Sequence, residues 1–244
     1  SRGFIKTGLG KRIAYNLIAA FGSSSLRLAY ALALSDLILA PATPSNTARV
    51  GGVIMPITTS LAKAFGSEPQ DGPRKIGSFL MQSIYQVNTI TSAMFQTSMA
   101  GNTLVAALAL QSFGIGITWG DWAMAAIVPG IIALIIMPYF IYKVYPPEIK
   151  DAREAQQMIK EELKGLGKMS FQEWVMLGVF VLALVLWATS QFTKLDATTV
   201  AFLGISILLA TSVLVWDDVK SEKGAWDTLV WMGTLMGFAG FLSK

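Results

Sequence analysis

The stretch LAPATPSNTAR, residues 39–49, lies within an otherwise apolar region and decides how the chain can fold. Its two prolines, Pro41 and Pro44, prevent one continuous helix because each lacks an N–H donor and moves the preceding residue out of the helical region. The apolar arms on either side, about 26–40 and 50–62, are each shorter than the roughly 20 residues that cross a bilayer. This pattern predicts a re-entrant helical hairpin with a Ser-Asn-Thr tip at mid-membrane.

The composition places the chain in a membrane. Of the 244 residues, 53% are hydrophobic and 14% are charged, whereas a water-soluble domain carries about 25% charged residues. The mean hydropathy is +0.55. The basic residues behind the net charge of +4 are scattered at the ends of apolar stretches, which favours a lipid bilayer over nucleic acid as the partner.

The chain contains no Cys and no His. This excludes a disulfide framework and thiolate metal sites, and it removes the commonest general base of enzymes. We therefore expect no enzymatic activity and no cofactor. Residue 1 is Ser rather than Met, and no signal-peptide pattern precedes the first apolar run, so we expect a piece of a longer protein.

Intervals without charge map the membrane-spanning helices, because an ionised side chain at the bilayer centre costs at least about 3 kcal/mol. Three intervals of 21, 20 and 20 residues each predict one transmembrane helix, at 122–142, 174–193 and 197–216. Aromatic side chains near their ends, among them Trp187, are predicted to be interfacial anchors.

The interval 76–120 is longer, with 45 uncharged residues. The positive-inside rule places the basic residues before it and those after 122–142 on the same side, so only one crossing, over 76–112, fits between them. Its excess length and its polar or small central residues predict an interrupted helix. These central residues are Thr97, Ser98, Gly101 and Asn102.

The sequence thus predicts an all-α polytopic membrane protein, built from a re-entrant hairpin and from broken and continuous transmembrane helices. The remaining predicted elements are an interfacial region, a charged cytoplasmic helix and a truncated helix. The segments in order are 1–25 (interfacial), 26–64 (hairpin), 76–112 (interrupted helix), 122–142 (transmembrane), 146–170 (charged helix), 174–193 and 197–216 (transmembrane), and 224–244 (truncated helix).

The hairpin tip, Ser45-Asn46-Thr47, carries the candidate chemistry. Lipid offers no hydrogen bonds, so a polar tip at membrane depth needs protein, water or a ligand as partner. Carbonyl groups that end the first arm suit a small cation, and N–H groups that begin the second suit a carboxylate. The alternative is that the three residues simply cap the second arm.

Charged and hydroxyl side chains nearby leave further alternatives open. Arg49 either helps neutralise an anionic substrate, pairs with Asp36, or extends to the interface. Asp36 takes part in ion coupling or pairs with an arginine. Thr97 and Ser98 line a binding site or bond back to the helix backbone.

Five segments together resemble the divalent anion:sodium symporter family, in its branch of bacterial citrate or dicarboxylate carriers and plastid 2-oxoglutarate/malate translocators. They are KTGLGKR (6–12), LAPATPSNTAR (39–49), Gly51-Gly52, PEIKDA (147–152) and WDT (226–228). The resemblance implies two inverted repeats, each with a Ser-Asn-Thr hairpin, and an elevator-like movement against a scaffold that forms a homodimer. No second Ser-Asn-Thr follows in this chain, which therefore resembles the first repeat and the start of the second.

The resemblance also implies site residues and a function. Ser45, Asn46 and Thr47 match the first tip and would contact the substrate, with Arg49 beside them. Ser45 and Asn46, together with Gly101 and Asn102, would form a sodium site, and Thr43 is a secondary candidate ligand.

The implied function is secondary transport of malate, succinate, 2-oxoglutarate or citrate by sodium symport or anion exchange. The implied location is a bacterial inner membrane or a plastid inner envelope. The alternative function is a non-transporting structural or channel-like membrane subunit.

Overall fold

The computed structural model of the chain describes residues 2–242 and is all-α over that range. The predicted segments 1–25 and 224–244 each extend outside the described residues at one end. The helices are α1 (Arg2–Thr7), α2 (Leu9–Phe21), α3 (Ser25–Leu39), α4 (Asn46–Arg49), α5 (Met55–Ala64), α6 (Gly77–Met94), α7 (Ala100–Phe113), α8 (Trp119–Val144), α9 (Arg153–Gly165), α10 (Phe171–Ala188), α11 (Ser190–Thr193), α12 (Ala197–Ala210), α13 (Trp216–Lys220) and α14 (Lys223–Leu242).

Two breaks in the helices lie at the polar segments that the sequence predicts. The first break, residues 40–45, begins with the 3-10 turn Ala40–Ala42 and separates α3 from α4. A π-helical turn, Val50–Ile54, then joins α4 to α5 in one continuous helix. The second break, residues 95–99, contains the 3-10 turn Gln96–Ser98 and separates α6 from α7.

The first arm of the hairpin is longer than the sequence predicts. Because Pro41 occupies the first turn of a 3-10 helix, where its missing N–H is tolerated, the helical path continues from α3 to Ala42. The resulting segment Ser25–Ala42 has 18 residues and is long and apolar enough to cross a membrane. The prolines therefore end the arm later than their positions suggest.

Within the described residues, two further helices meet the length and composition needed to cross a membrane, α8 with 26 residues and α10 with 18. A capping box formed by Ser170 and Glu173 begins α10. The predicted segment 174–193 is divided, because α10 ends at Ala188 and a separate turn, α11, follows.

Helix α12 is shorter than the charge-free interval 197–216 that predicts it. It contains 14 residues, and the hydroxyl group of Thr211 donates back to the carbonyl oxygen of Ile207 where the helix ends. Ser212 then has a φ of 57°, which turns the chain away. Charge-free length includes the loop that follows a helix, and it overestimates the helix for that reason.

The core lies where α2, α3, α6 and α8 pack in sequence, with α9 against α2 and α5 against α6. Its largest fully buried apolar side chains include Phe4, Leu32, Ile54 and Phe79. Helices α10 and α12 pack against each other, and α10 also contacts α1 and α8. This arrangement brings the two breaks into contact with each other.

Ion pairs tie the short N-terminal helices to the second part of the chain. Lys6 Nζ lies 2.5 Å from Asp218 Oδ2, and Arg12 Nε lies 2.6 Å from Glu173 Oε1. The hydrogen bond from Lys6, together with the Val215 N–H, holds the pKa of Asp218 below its usual range. Helix α1 is thus tied to α13, and α2 to the start of α10.

Candidate functional site: two joined helix breaks

The tip begins the second arm with an N-cap. The side chain of Ser45 accepts a hydrogen bond from the Ala48 N–H at 3.2 Å. Asn46 Oδ1 accepts from the Thr47 N–H at 2.9 Å. The capping role that the sequence offers as an alternative is therefore present. It uses acceptor atoms only.

The donor groups of the tip are still available for a ligand. No described residue accepts a hydrogen bond from the hydroxyl groups of Ser45 and Thr47 or from the Asn46 amide nitrogen. Ser45 and Asn46 are half-buried, and Thr47 is exposed. These donors stand at the N-terminal end of a helix, where the partial positive charge favours an anion.

Arg49 and Asp36 form a buried ion pair just behind the tip. Arg49 Nε lies 2.9 Å from Asp36 Oδ1, and the two side chains are 0% and 2% exposed. Asp36 Oδ2 also accepts a hydrogen bond from the hydroxyl of Thr91. Of the alternatives left open for Arg49, the structure therefore shows pairing with Asp36, and the carboxylate neutralises the guanidinium charge.

All five N–H donors of Arg49 have acceptors within the protein. Besides Asp36, these acceptors are the carbonyl oxygens of Thr43 (3.2 Å) and Ser98 (3.4 Å) and the hydroxyl oxygens of Thr91 (3.1 Å) and Ser92 (3.0 Å). One guanidinium therefore contacts the first break, the second break and helix α6. Because no donor is left over, Arg49 supports the tip rather than extending past it to a ligand.

Polar side chains at the second break form hydrogen bonds with backbone carbonyl oxygens close to them in the chain. The hydroxyl of Ser98 donates to the carbonyl oxygens of Ser92 and Phe95, each at 2.7 Å. The Asn102 amide nitrogen donates to the same two carbonyl oxygens, at 2.7 and 2.9 Å. For Ser98 the structure thus shows the backbone bonding that the sequence left as an alternative. Gly101 is half-buried beside Asn102 in the first turn of α7.

Thr97 joins the two breaks directly. Its hydroxyl donates to the carbonyl oxygen of Pro41 at 2.5 Å and accepts from the indole N–H of Trp119 at 2.9 Å. The Trp119 ring stacks between Phe95 and Trp187, with centroid distances of 5.7 and 6.2 Å. The Thr97 hydroxyl therefore bonds across to other segments rather than back to its own helix.

The stack corrects the prediction for Trp187. This side chain is only 5% exposed, and its indole N–H donates to the carbonyl oxygen of Ala197. A tryptophan near the end of an apolar interval is expected at the interface, but here it packs against α8. It is a core residue at the contact between α10 and the broken helices.

The polar residues of α6 that complete the network are not among the site residues predicted from the sequence. Asn88, Thr91 and Ser92 lie at helical spacing of three and four residues, so they share one face. A polar face on an apolar helix is a signal for a buried charge. That face meets Asp36 and Arg49, two charges that the sequence already placed in the hairpin.

A cavity of about 460 Å³ lies beside the second break, between α7 and the segment from α11 to α12. Gln96, Trp119 and Ser190 are among its lining residues. The tip does not line it. The cavity therefore provides space next to the joined breaks but does not mark the predicted substrate site.

Comparison with known proteins identifies the family. The family model described as "Sodium:sulfate symporter transmembrane region" matches residues 1–244. The chain belongs to this family. The predicted resemblance is therefore confirmed, and the chain is part of an integral membrane protein of a transporter family.

Three relatives illustrate the branch. The chain is 53% identical to "Putative malate transporter YflS" of Bacillus subtilis and 48% identical to "Inner membrane protein YbhI" of Escherichia coli, and it covers 51% of each. It is 47% identical to "Dicarboxylate transporter 1, chloroplastic" of Spinacia oleracea and covers 43% of it. All of this chain is matched in each comparison. The chain spans about half the length of the curated relatives it matches.

Proposed function

We propose that the full-length protein carries di- or tricarboxylates, namely malate, succinate, 2-oxoglutarate or citrate, across a membrane. The observation that carries this proposal is the contrast within the site. The tip keeps three donor side chains available, whereas Arg49 and Ser98 use theirs within the protein. Free donors at membrane depth are costly unless a ligand or water uses them.

The substrate would be held by the tip residues Ser45, Asn46 and Thr47. Two hydroxyls and one amide donate hydrogen bonds to a carboxylate, and the start of the helix that continues from α4 adds partial positive charge. In this proposal Arg49 does not contact the substrate but supports the tip through its hydrogen bonds within the protein. The pair with Asp36 is neutral, so Arg49 supplies no net charge to the substrate, and a co-transported cation or an exchanged anion would offset the charge that crosses the membrane.

A sodium ion would be held between the tip and the start of α7. The candidate oxygen ligands are the side chains of Ser45 and Asn46 together with Gly101 and Asn102, hard donors of the kind that small cations prefer. Because the Asn102 amide nitrogen is bonded to Ser92 and Phe95, its Oδ1 points away from them. Thr43 remains a secondary candidate. The proposed movement is elevator-like, in a homodimer, as the family resemblance implies.

The test is uptake by the full-length protein in proteoliposomes, with labelled malate, succinate, 2-oxoglutarate and citrate. Asn46→Ala removes the amide at the tip and should abolish uptake, with unchanged expression. Asn16→Ala is the matched control, because Asn16 is exposed on α2 and its amide bonds to its own helix at the Arg12 carbonyl. Normal uptake by the Asn46 variant would contradict the assignment of the site.

The same vesicles distinguish the driving modes. Uptake that requires sodium indicates symport, and uptake that requires preloaded carboxylate without sodium indicates exchange. A flux that does not saturate and shows no counter-transport would instead favour the channel-like alternative.

A further inference from the structure

Hydrogen bonds within the protein hold the two breaks together, and no ligand takes part in them. Arg49 donates to the carbonyl oxygens of Thr43 in the first break and Ser98 in the second. Thr97 in the second break donates to the carbonyl oxygen of Pro41 in the first. The Arg49 side chain therefore bridges the two breaks through two bonds, and Thr97 joins them directly across 56 positions of the chain.

Only an arginine can make the observed set of contacts. Its planar guanidinium presents five donors in a fixed fork, whereas a lysine ammonium has three donors on one atom. Here the five donors reach acceptors on α3, α6 and both breaks. A lysine at position 49 could keep the ion pair with Asp36 but could not keep all the bonds to the breaks.

Thr97 supplies the second point of attachment, and Trp119 fixes its orientation. The indole N–H of Trp119 donates to the Thr97 hydroxyl, which leaves the hydroxyl hydrogen free to point at the Pro41 carbonyl oxygen. The Trp119 ring cannot turn away, since it is stacked between Phe95 and Trp187. The attachment is therefore directional.

We propose that Arg49 and Thr97 are positioning residues that hold the two breaks as one unit and thereby set the affinity of the tip for its carboxylate. The proposal rests on the proposed function, because the ligand is the one assigned to the tip. A ligand or ion that contacts both the tip and the start of α7 needs them at a fixed separation, and the three bonds fix that separation before the ligand arrives.

Two variants of the full-length protein test the proposal. Arg49→Lys keeps the charge, and Thr97→Val keeps the size but removes the bond to Pro41. Thr58→Val is the matched control, because Thr58 is fully buried in α5 and its hydroxyl bonds only to the carbonyl of Ile54 in its own helix turn. We expect the Kd for malate to rise about tenfold in each test variant, or about 1.4 kcal/mol, and less than about twofold in the control.

A ligand-free measurement separates positioning from direct contact. Spin labels at Pro44→Cys and Ala107→Cys, both exposed positions, report the distance between the first break and α7. The distribution should be narrow in the parent and in Thr58→Val, and clearly broader in Thr97→Val.

Each combination of results decides the matter. A higher Kd with a broader distribution supports the proposal. A higher Kd with an unchanged distribution overturns it, because Thr97 would then contact the ligand itself. An unchanged Kd in Arg49→Lys and Thr97→Val also overturns the proposal. In that case, loss of binding in Asn46→Ala would still support the proposed function. If the parent protein binds no carboxylate, the proposed function fails. The proposal that the joined breaks set the affinity of the tip then fails too, whatever the spin-label distances are.

Discussion

The two breaks use similar residues in opposite ways. At the second break, Thr97 and Ser98, with Asn102 in the first turn of α7, are buried, and each donates to a backbone carbonyl oxygen. At the tip that follows the first break, Asn46 is half-buried and Thr47 is exposed, with side-chain donors that no described residue uses. A helix interruption is therefore not by itself a binding site. The second break uses its donors to stabilise the protein, whereas the first presents donors that a ligand can reach.

The largest expected effect concerns the ion pair that lies between the breaks. Arg49→Leu leaves Asp36 buried without its partner, and breaking a buried pair in this way costs about 3–5 kcal/mol. We expect the full-length variant to show a much lower melting temperature in detergent, or to be lost from the membrane.

Arg153→Leu is the contrasting variant for this measurement. The Arg153–Asp151 pair is solvent-exposed, with side chains 75% and 56% exposed, so its loss should leave the melting temperature unchanged. Equal behaviour of the two variants would mean that the Asp36–Arg49 pair does not support the breaks.

The second break should respond to the loss of its own bonds. Asn102→Ala removes two hydrogen bonds to buried carbonyl oxygens and should destabilise the protein by about 1–3 kcal/mol, measured by thermal unfolding without sodium. Thr103→Ala, at an exposed position whose hydroxyl bonds to its own helix turn, should cost far less. If Asn102→Ala is as stable as Thr103→Ala, the second break is not self-supporting.

The existence of both breaks could be predicted from the sequence, for physical reasons. Pro41 and Pro44, only three positions apart, disfavour a continuous helix, so the first break was predictable from local chemistry. The second break was predictable from the length of the uncharged interval and from Thr97 to Asn102. Both signals are local, and neither depends on which segments pack together.

The rest of the site depends on tertiary contacts. The sequence left Arg49 undecided, because its choice between Asp36 and a substrate depends on the face of α6 that packs against it. Trp187 was assigned to the interface because its stacking partner, Trp119, lies 68 positions earlier in the chain. The membrane crossings, the sodium ligands and the substrate contacts stay predictions.

The first break should separate stability from binding. Ser45→Ala removes an N-cap and should cost about 1 kcal/mol. Ser24→Ala removes the equivalent cap of α3, where the side chain accepts from the Arg27 N–H, and should cost a similar amount. Malate should raise the melting temperature of the Ser24 variant as it does for the parent protein, and much less for the Ser45 variant. A full ligand response in both would restrict Ser45 to a capping role.

The smallest effect on folding is expected at Thr47, and for that reason it is the most specific test of the contrast. Thr47 is exposed and its hydroxyl bonds to no described residue, so Thr47→Val should change the free energy of unfolding by less than about 0.5 kcal/mol. The hydroxyl is nevertheless one of the donors assigned to the substrate, so malate should bind several-fold more weakly. Because valine has the same shape, a change in affinity at constant stability cannot arise from repacking. An unchanged affinity would remove Thr47 from the site and leave Ser45 and Asn46 to hold the carboxylate.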